Sequence, residues 1–389
     1  MKKLRHFLAA IFLVMAVLAR AQEQEEIKIG KIITPGNMPP IKVCITGFSG
    51  EVADVLNFDL YVMGFINVAR DQAQFIITGS NEGNVQGRVL NPLNQTILSK
   101  VYSGTTLRRQ AHAFADDIVQ AVTGNKGVAQ TRIVFKAGAG MNSEVCLADF
   151  DGHNAQSVTS DNTIVAAPAW SPGRQVLYYT SYKFGRPEIF FHDLASGQRR
   201  AIARYGGSNI SPAPSPDGSK VAMILSKDGW VDLYVCNTDG SDLKRLTKTP
   251  EDDSSPCWSP DSQWICFATK VNGRRKLCKV PAAGGAVQTI RTDGVSSPSE
   301  PDWSPDGRWI AFTAQMGNFE ICVVPAGGGT ATVLVDGKDS SWSPNSRTLV
   351  FVRQDSGEAH LSLLDVPTKQ VKDVTRVLSR NNSQPSWAR

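Results

Sequence analysis

A short phrase related to Trp-Ser-Pro-Asp-Gly recurs along this chain of 389 residues. Its fullest copy is Pro301–Gly307, and an incomplete copy at Trp387 lies almost at the end of the chain. The six copies are centred on residues 170, 214, 258, 303, 342 and 387, which gives steps of 44, 44, 45, 39 and 45 residues. A period of about 40–45 residues is typical of a propeller, whose blades bury their apolar faces only by packing on one another.

Short apolar runs follow the copies of this phrase. After the second copy, Lys220–Ile224 and Asp232–Val235 are followed by the turn residues Asp239 and Gly240. Such runs, separated by turn residues at regular spacing, predict an antiparallel all-β array. There are six sets of runs, which begin near residues 133, 176, 221, 265, 310 and 349.

The sets of strands and the copies of the phrase are offset by one unit. The set near Ile133 has no copy before it, and the copy at Trp387 has no set after it. A ring explains this offset, because the C-terminal segment can supply the strand that the first unit lacks and no open sheet edge remains. We therefore predict that residues 129–389 form an all-β, six-bladed propeller closed by the C-terminal strand. An open solenoid is the alternative.

The N-terminus has the features of a secretory signal peptide. Lys2, Lys3 and Arg5 precede an apolar run, Leu8–Ala19, and small residues at 19 and 21 form a cleavage site. The apolar run is too short to cross a bilayer comfortably. We predict that residues 1–21 are removed on export, which places the mature protein outside the cytoplasm. A retained membrane anchor is the alternative.

The excess of basic residues comes almost entirely from this signal segment. The whole chain has 41 basic and 36 acidic residues, and removal of residues 1–21 leaves 37 and 36, a net charge of +1. A balance this close to neutral gives no reason to expect nucleic acid as a partner.

An arm and a small domain are predicted between the signal peptide and the propeller. Residues 22–40 are expected to form an extended N-terminal arm. Residues 41–128 are expected to form a small N-terminal α/β domain, with a strand at Ile41–Phe48, a helix from Gly50 to about Arg70, three further strands and a helix at Leu107–Val122. The connection to the propeller would then lie at Gly124–Gly127.

The chain contains seven cysteines, so at least one is unpaired within a monomer. Cys266 and Cys278 fall on neighbouring strands of one predicted blade and are the pair to be tested for a disulfide. The alternative is that the cysteines are buried free thiols, which pack as small apolar groups.

The sequence shows no familiar catalytic or metal-binding pattern. The H-E-x-x-H, P-loop and complete G-x-G-x-x-G motifs are absent. His112, His153, His192 and His360 each stand apart from candidate catalytic partners in the sequence. We therefore expect no catalytic residues, no metal and no cofactor.

The order of a signal peptide, a small α/β domain and six repeats resembles the TolB family, the periplasmic component of the Tol–Pal system. Val122–Gly127 followed by Thr131–Ile133 is similar to the hinge of that family, and Pro301–Gly307 and Leu233–Gly240 are similar to its blades. The resemblance implies a non-enzymatic periplasmic adaptor. It also implies a role in outer-membrane integrity and in constriction at cell division.

The resemblance implies two partners. The N-terminal arm would bind a TolA-like inner-membrane protein, and its alternating pattern suits addition of a strand to an exposed sheet edge. The arm residues concerned are Ile27, Lys28, Ile29, Gly30, Lys31 and Ile32. A disordered leader and an intramolecular strand are the alternatives for this segment.

The propeller would bind a Pal-like peptidoglycan-associated lipoprotein. We expect the site in the loops just before each copy of the phrase, because these loops should cluster at one mouth of the channel. The candidate residues are Ser208, Asn209, Asp252, Asp253, Ser254, Ser297, Ser299, Glu300 and Asp339. The alternative for each of these residues is a position in a solvated turn. The sequence departs from the family pattern in one of these loops, because Gly206–Ile210 lacks the histidine that this pattern would lead us to expect.

Two other functions remain open at the level of the sequence. One is an exported propeller that binds a small molecule or a glycan. The other is a propeller hydrolase, which would need paired carboxylates or a serine and a histidine that converge on the channel.

Overall fold

The computed structural model describes residues 35–374 and 381–389. The predicted signal peptide and the predicted TolA-binding residues Ile27–Ile32 lie outside these ranges. The described residues form a small α/β domain followed by a six-bladed propeller, as the sequence predicts. Within them, no helix is both long enough and apolar enough to cross a membrane.

The α/β domain contains one five-stranded mixed sheet. In chain order its strands are β1 (Ile41–Thr46), β2 (Phe65–Asn67), β3 (Phe75–Ser80), β4 (Gln86–Leu90) and β5 (Thr96–Val101). Their order in the sheet is β2-β1-β3-β4-β5. Strand β1 runs parallel to β2 and β3, and the pairs β3–β4 and β4–β5 are antiparallel.

Two helices accompany this sheet, α1 (Gly50–Val62) and α2 (Leu107–Thr123). Helix α1 is shorter than predicted, because Gly64 adopts a left-handed φ of 90° and the chain then enters β2 and a 3-10 turn at Arg70–Gln72. Helix α2 agrees with the prediction. The Thr106 hydroxyl accepts a hydrogen bond from the Arg109 N–H at its start, and left-handed Gly124 ends it.

Each of the six blades is a four-stranded antiparallel sheet, and its strands are numbered from the channel outward. Blade 1 consists of Asn382–Trp387, Arg132–Ala139, Asn142–Asp149 and Gln156–Ser157, and blade 2 of Val165–Trp170, Val176–Ser181, Glu188–Asp193 and Arg199–Ala203. Blade 3 consists of Asn209–Pro214, Lys220–Leu225, Asp232–Asn237 and Lys244–Arg245, and blade 4 of Ser254–Trp258, Trp264–Val271, Arg274–Pro281 and Gln288–Ile290. Blade 5 consists of Ser299–Trp303, Trp309–Gln315, Phe319–Pro325 and Thr332–Asp336, and blade 6 of Lys338–Trp342, Thr348–Asp355, Glu358–Asp365 and Gln370–Asp373. A two-stranded ribbon, Thr292–Asp293 with Gly329–Thr330, links blades 4 and 5.

The C-terminal strand closes the ring. Asn382–Trp387 pairs antiparallel with Arg132–Ala139, and Trp387 lies opposite Ile133. The first blade therefore takes its innermost strand from the last residues of the chain, which confirms the predicted closure and excludes the open solenoid.

The recurring phrase forms a self-capped turn at the end of the inner strand in blades 3 to 6. Ser304 Oγ donates to Asp306 Oδ1 at 2.6 Å, and the same carboxylate oxygen accepts from the Arg308 N–H at 3.1 Å. In the fifth copy Asn345 replaces aspartate and still accepts from Ser343 Oγ at 2.6 Å. The phrase recurs because a short polar side chain at this position satisfies the backbone of the turn.

The tryptophans at 258, 303 and 342 pack blades 4, 5 and 6 against the preceding blade. Trp258 Nε1 donates to the carbonyl oxygen of Ala213 in blade 3, and Trp342 Nε1 donates to the carbonyl oxygen of Asp302 in blade 5. All three anchors at 258, 303 and 342 are buried within clusters that join two consecutive blades. Interblade packing therefore depends on these rings, as the repeat predicts.

The proposed disulfide between Cys266 and Cys278 is not compatible with the register of blade 4. Cys278 lies opposite Phe267, so it projects from the other side of the sheet from Cys266. Cys266 instead lies opposite Cys257 of the inner strand. All seven cysteines are free thiols, and Cys146 alone among them is partly exposed.

The α/β domain and the propeller share one hydrophobic cluster, which includes Phe65, Phe114, Val350 and Trp387. Polar contacts add to it. Gln370 Nε2 donates to the carbonyl oxygen of Phe65 at 2.9 Å. The two parts are therefore packed together through a continuous core.

Candidate functional site

The alternation of strand direction divides the propeller connections between two faces. The turns between second and third strands and the connections between blades emerge on one side, which we call the open face. The Ser-Pro-Asp turns and the turns between third and outer strands emerge on the other side, which we call the domain face. The α/β domain contacts this second side, where Asn345 Nδ2 donates to the carbonyl oxygen of Lys126.

Six equivalent residues with left-handed backbone surround the channel near the open face. Their φ values lie between 47° and 54°, and the strand register shifts at each one. They are Ala167, Ser211, Ser255, Glu300, Asp339 and Gln384. None is glycine, so each position is conformationally unfavourable, and such positions concentrate at functional sites. Together they line the mouth of the channel.

Two of the predicted residues, Glu300 and Asp339, meet in this ring. The Asp339 N–H donates to Glu300 Oε2 at 3.2 Å, and Thr313 Oγ1 donates to the same oxygen at 2.7 Å. Burial, together with the negative charge of Glu300, raises the pKa of Asp339 to about 8. The Asp339 carboxyl group is therefore largely protonated near neutral pH.

Two other predicted residues hold their own loops together. The Asn209 side chain is buried and donates to the carbonyl oxygens of Pro187 and Tyr205 at 3.1 and 2.8 Å. Asp253 is also buried and accepts from Thr247 Oγ1 at 2.5 Å. Both side chains are engaged inside the protein, so contact with a partner at these positions would have to come from the backbone or from neighbouring residues.

The remaining predicted residues lie on the open face, and they differ in how exposed they are to solvent. Asp252 and Ser297 are exposed, whereas Ser208, Ser254 and Ser299 are half-buried. Ser208, Asp252 and Ser297 lie in connections between blades, and Ser254 and Ser299 begin inner strands. The structure thus brings the predicted set to one face, and its role in Pal binding stays a prediction.

Exposed apolar side chains form a rim on the same face, and none of them is among the residues predicted from the sequence. Six of the eight exposed large apolar side chains of the described propeller lie in or beside turns between second and third strands. They are Met141, Phe184, Trp230, Val271, Met316 and Phe319. The sequence did contain a signal for two of these exposed rings. Phe184 and Trp230 each stand next to a glycine in a polar turn, where an aromatic ring is not needed to fill a core.

Cationic side chains flank two of these rings. The Arg204 guanidinium lies 5.4 Å from the centroid of the Phe184 ring, and Lys338 Nζ lies 5.6 Å from that of Phe319. Aromatic rings with adjacent cations are enriched at protein interfaces, where they combine buried area with directional contacts.

The channel contains a cavity of about 350 Å³ lined by Trp170, Trp258, Trp303 and Trp387. Arg389 projects into it, forms an ion pair with Asp302 and donates to the carbonyl oxygen of Trp342 at 3.1 Å. Burial raises the pKa of the Cys257 thiol in the channel wall well above its ordinary value. This thiol is therefore protonated and is not an activated nucleophile.

A second polar cluster joins the α/β domain to blade 1. His112 on α2 contacts Asp59 on α1 (Nδ1 to Oδ2, 2.7 Å) and approaches Asp151 of the propeller (Nε2 to Oδ2, 3.4 Å). Burial raises the pKa of Asp59 to about 7 despite the opposing effect of His112. For His112 burial acts in the opposite direction, but the hydrogen bond and charge of Asp59 outweigh it and raise the pKa of the imidazole.

Asp59, His112 and Asp151 are close enough together to hold a metal ion, since one ligand atom from each lies within 4.8 Å of the others. The guanidinium of Arg108, however, contacts the Asp151 carboxylate. This guanidinium already supplies the positive charge that a metal would bring. The four side chains therefore fit an ion network better than a metal site.

This network predicts that stability falls as the pH rises from about 4 to about 7, which is the range between the ordinary pKa of Asp59 and its raised pKa in the folded protein, and that His112 adds to the loss above pH 6.5. Both Asp59 and His112 have raised pKa values in the folded protein, so it binds more protons than the unfolded chain does, and the stabilisation is lost as the pH passes the folded pKa values. The double variant Asp59→Asn, His112→Gln should show a flatter dependence of melting temperature on pH. The groups around the pair (Arg108, Asp151, Glu51 and Asp116) remain in both proteins. Parallel pH profiles of the two proteins would contradict this account.

The family model for the TolB beta propeller domain matches residues 119–389, which is well over half of the chain. The chain belongs to the TolB propeller family. Among curated relatives, the Tol-Pal system protein TolB of Bordetella parapertussis is 30% identical over 292 residues. This match covers 74% of the chain and 66% of the relative, so the chain spans just under two thirds of the relative's length.

Solved structures support the same fold. A crystal structure of TolB from Acinetobacter baumannii matches with a TM-score of 0.82 at 21% identity, over 92% of this chain and 98% of that one. A structure of putative TolB from Agrobacterium tumefaciens matches with a TM-score of 0.52 at 20% identity, over 63% and 89% of the two chains. The first match includes the α/β domain as well as the propeller of the family.

Proposed function

We propose that this protein is a non-enzymatic, periplasmic adaptor of the Tol–Pal system. Its propeller would bind a Pal-like lipoprotein, and its N-terminal arm would bind a TolA-like inner-membrane protein. This adaptor would support outer-membrane integrity and constriction at cell division. Family membership supports the assignment to the system, and the open face of the propeller is the observation that carries the proposed binding activity.

The open face has the composition of a protein-binding surface. Exposed rings such as Phe184 and Trp230 surround a channel mouth made of small polar groups and the Glu300–Asp339 pair. Apolar anchors around a polar centre give both buried area and directional hydrogen bonds to a partner. The α/β domain lies on the other face, so it leaves this rim accessible.

The arm is proposed to act through residues that precede Pro35. Gly36 N–H donates to the carbonyl oxygen of Val366 at 2.8 Å, and Met38 N–H donates to that of Pro367 at 3.0 Å. Pro35 itself is buried. The chain is thus fixed to blade 6 from this point onward, and the residues that we propose for the TolA-like partner, Ile27–Ile32, come before it in the sequence.

A small-molecule or glycan ligand in the channel is the second candidate. The cavity of about 350 Å³ and its four tryptophan rings favour it, since this volume is within the range of small-ligand sites and aromatic rings commonly line them. A ligand of this kind would stay bound to variants of the rim, whereas a protein partner on the open face would not.

The test compares exposed apolar residues on the two faces. Trp230→Ala should weaken binding of the soluble domain of the Pal-like lipoprotein by about tenfold or more, because buried tryptophans are frequent interface hot spots. Val287→Ala is the control, since Val287 is also exposed but lies in a turn on the domain face. Binding that is unchanged by Trp230→Ala and Phe184→Ala together would exclude the rim as the site.

A further inference from the structure

Two cysteines face each other across the first two strands of blade 4. Cys257 lies on the inner strand, Ser254–Trp258, and its partner in the register is Cys266 on the second strand, Trp264–Val271. Side chains that are directly opposite project from the same side of a sheet. Both thiols accordingly lie in one hydrophobic cluster, which fills the space between blades 4 and 5.

The spacing of paired strands suits a disulfide at this position. The Cα atoms of residues directly opposite each other in an antiparallel pair are about 4.5–5.5 Å apart. A disulfide joins cysteines whose Cα atoms are about 4.4–6.8 Å apart, so these two can be bridged without a change in strand pairing. The Cys266 thiol is also close enough to add to the effect of burial in raising the pKa of the Cys257 thiol. The two thiols are thus neighbours in the reduced protein.

None of the other cysteines has a cysteine opposite it, and all seven lie within the residues that the structure describes. On the second strands of their blades, Cys146, Cys278 and Cys322 each face a phenylalanine. Cys44 faces an isoleucine and Cys236 faces a valine. The register therefore selects one pair among the seven.

We propose that Cys257 and Cys266 form a disulfide within blade 4 when the chain folds in an oxidising compartment. Both are thiols in this structure. The inference rests on the proposed function only for the periplasmic location, where structural disulfides form and persist. The bond would fix the inner strand to the second strand two residues from the left-handed Ser255, which lines the mouth of the channel.

The oxidant would be the disulfide of an exported thiol oxidoreductase. One cysteine, as the thiolate, attacks a sulfur of that disulfide, forms a mixed disulfide and releases one thiolate of the oxidant. The second cysteine then attacks the sulfur of the first and releases the other thiolate. In total the two cysteines lose two protons and two electrons, and the disulfide of the oxidant becomes two thiols.

This exchange must take place before the ring is complete. Cys266 is fully buried and Cys257 is 8% exposed, so another protein cannot reach either sulfur once blade 5 has packed on blade 4. Burial also keeps the Cys257 thiol protonated in the folded protein, and a thiol is a poor nucleophile. We therefore expect the bond to form while the chain folds after export.

The test determines the state of both cysteines in one peptide. Residues 22–389 are produced in one bacterial host in two forms, one exported behind the leader of a periplasmic host protein and one kept in the cytoplasm without a leader. Each is denatured in acid, treated with iodoacetamide at neutral pH and digested with trypsin. The tryptic peptide Thr249–Lys270 contains both cysteines and no other, so its mass reports their state directly.

We expect this peptide to carry no alkyl group and to lack two hydrogen atoms in the exported protein, and to carry two alkyl groups in the cytoplasmic protein. Two alkyl groups in the exported protein, or a bond from either cysteine to another peptide, would overturn the proposal. The host leader makes the result independent of the chain's own signal segment. Because the test involves no Pal-like domain, its failure is distinguishable from failure of the adaptor function.

Variants of two cysteines in blade 4 complete the test. Dithiothreitol should lower the melting temperature of the exported protein by about 5 °C or more, because the bond restricts the unfolded chain. Cys257→Ala should abolish this effect and leave Cys266 alkylated. Cys278→Ala is the matched control, since Cys278 is also buried in blade 4 but faces Phe267, and it should keep both the disulfide and the effect of dithiothreitol. Loss of the disulfide in Cys278→Ala would contradict the assigned pairing.

Discussion

Trp387→Ala is expected to lower the free energy of unfolding by about 3–5 kcal/mol, the usual cost of removing a fully buried tryptophan side chain. Trp387 is 1% exposed, and its ring lies in the cluster that joins blades 1 and 6 to the α/β domain. Its Nε1 also donates to Thr131 Oγ1 at 2.7 Å. The substitution therefore weakens both the closure of the ring and the contact between the two parts. Urea unfolding followed by tryptophan fluorescence and by circular dichroism measures the change.

Trp230→Ala is the matched control for this prediction. It removes the same side chain, but Trp230 is about half exposed in a turn on the open face. Its cost should stay within about 0.5 kcal/mol, as for most surface substitutions. Similar losses of stability in the two variants would contradict closure of the ring at Trp387.

Asp365→Ala is expected to cost about 3–5 kcal/mol, because it leaves a buried guanidinium without its counter-ion. Asp365 accepts from Arg347 at 2.5 and 3.1 Å and from Thr368 Oγ1 at 2.6 Å. The Arg347 side chain also packs on Gly64 of the α/β domain, where an added Cβ would collide with Nη2. Thermal unfolding should show a lower melting temperature for this variant.

Asp293→Ala provides the comparison for this ion pair. Asp293 also pairs with an arginine, Arg291, but both side chains are largely exposed, and such pairs contribute about 0–1 kcal/mol. A loss for Asp365→Ala as small as that for Asp293→Ala would show that the Arg347–Asp365 pair is solvated and would contradict its burial between the two parts.

The ring and its closure could be predicted from the sequence because the repeat is long, regular and offset by one unit. The position of Trp387 then required a strand to pair with the one near Ile133. The end of helix α1 was harder to predict from the sequence. Apolar spacing continued past Val62, and only the left-handed conformation of Gly64 diverts the chain into the sheet. A periodic pattern reports which residues are apolar and does not report where a turn interrupts them.

The functional face could be predicted in part. The loops before each phrase do converge at one face, and Glu300 and Asp339 do line the channel mouth. Nothing in the sequence distinguishes Asn209, which bonds its own loop, from an exposed residue. The sequence also could not predict that Cys257 and Cys266 lie opposite each other. A shift of one residue in register decides which side chains face each other across two strands.

Calorimetric titration of residues 22–389 with the soluble domain of the Pal-like lipoprotein from the same organism tests the central claim most directly. We expect saturable one-to-one binding that Trp230→Ala weakens by about tenfold or more and Val287→Ala leaves unchanged. No binding at protein concentrations of tens of micromolar, or binding that is indifferent to substitutions on the open face, would contradict it.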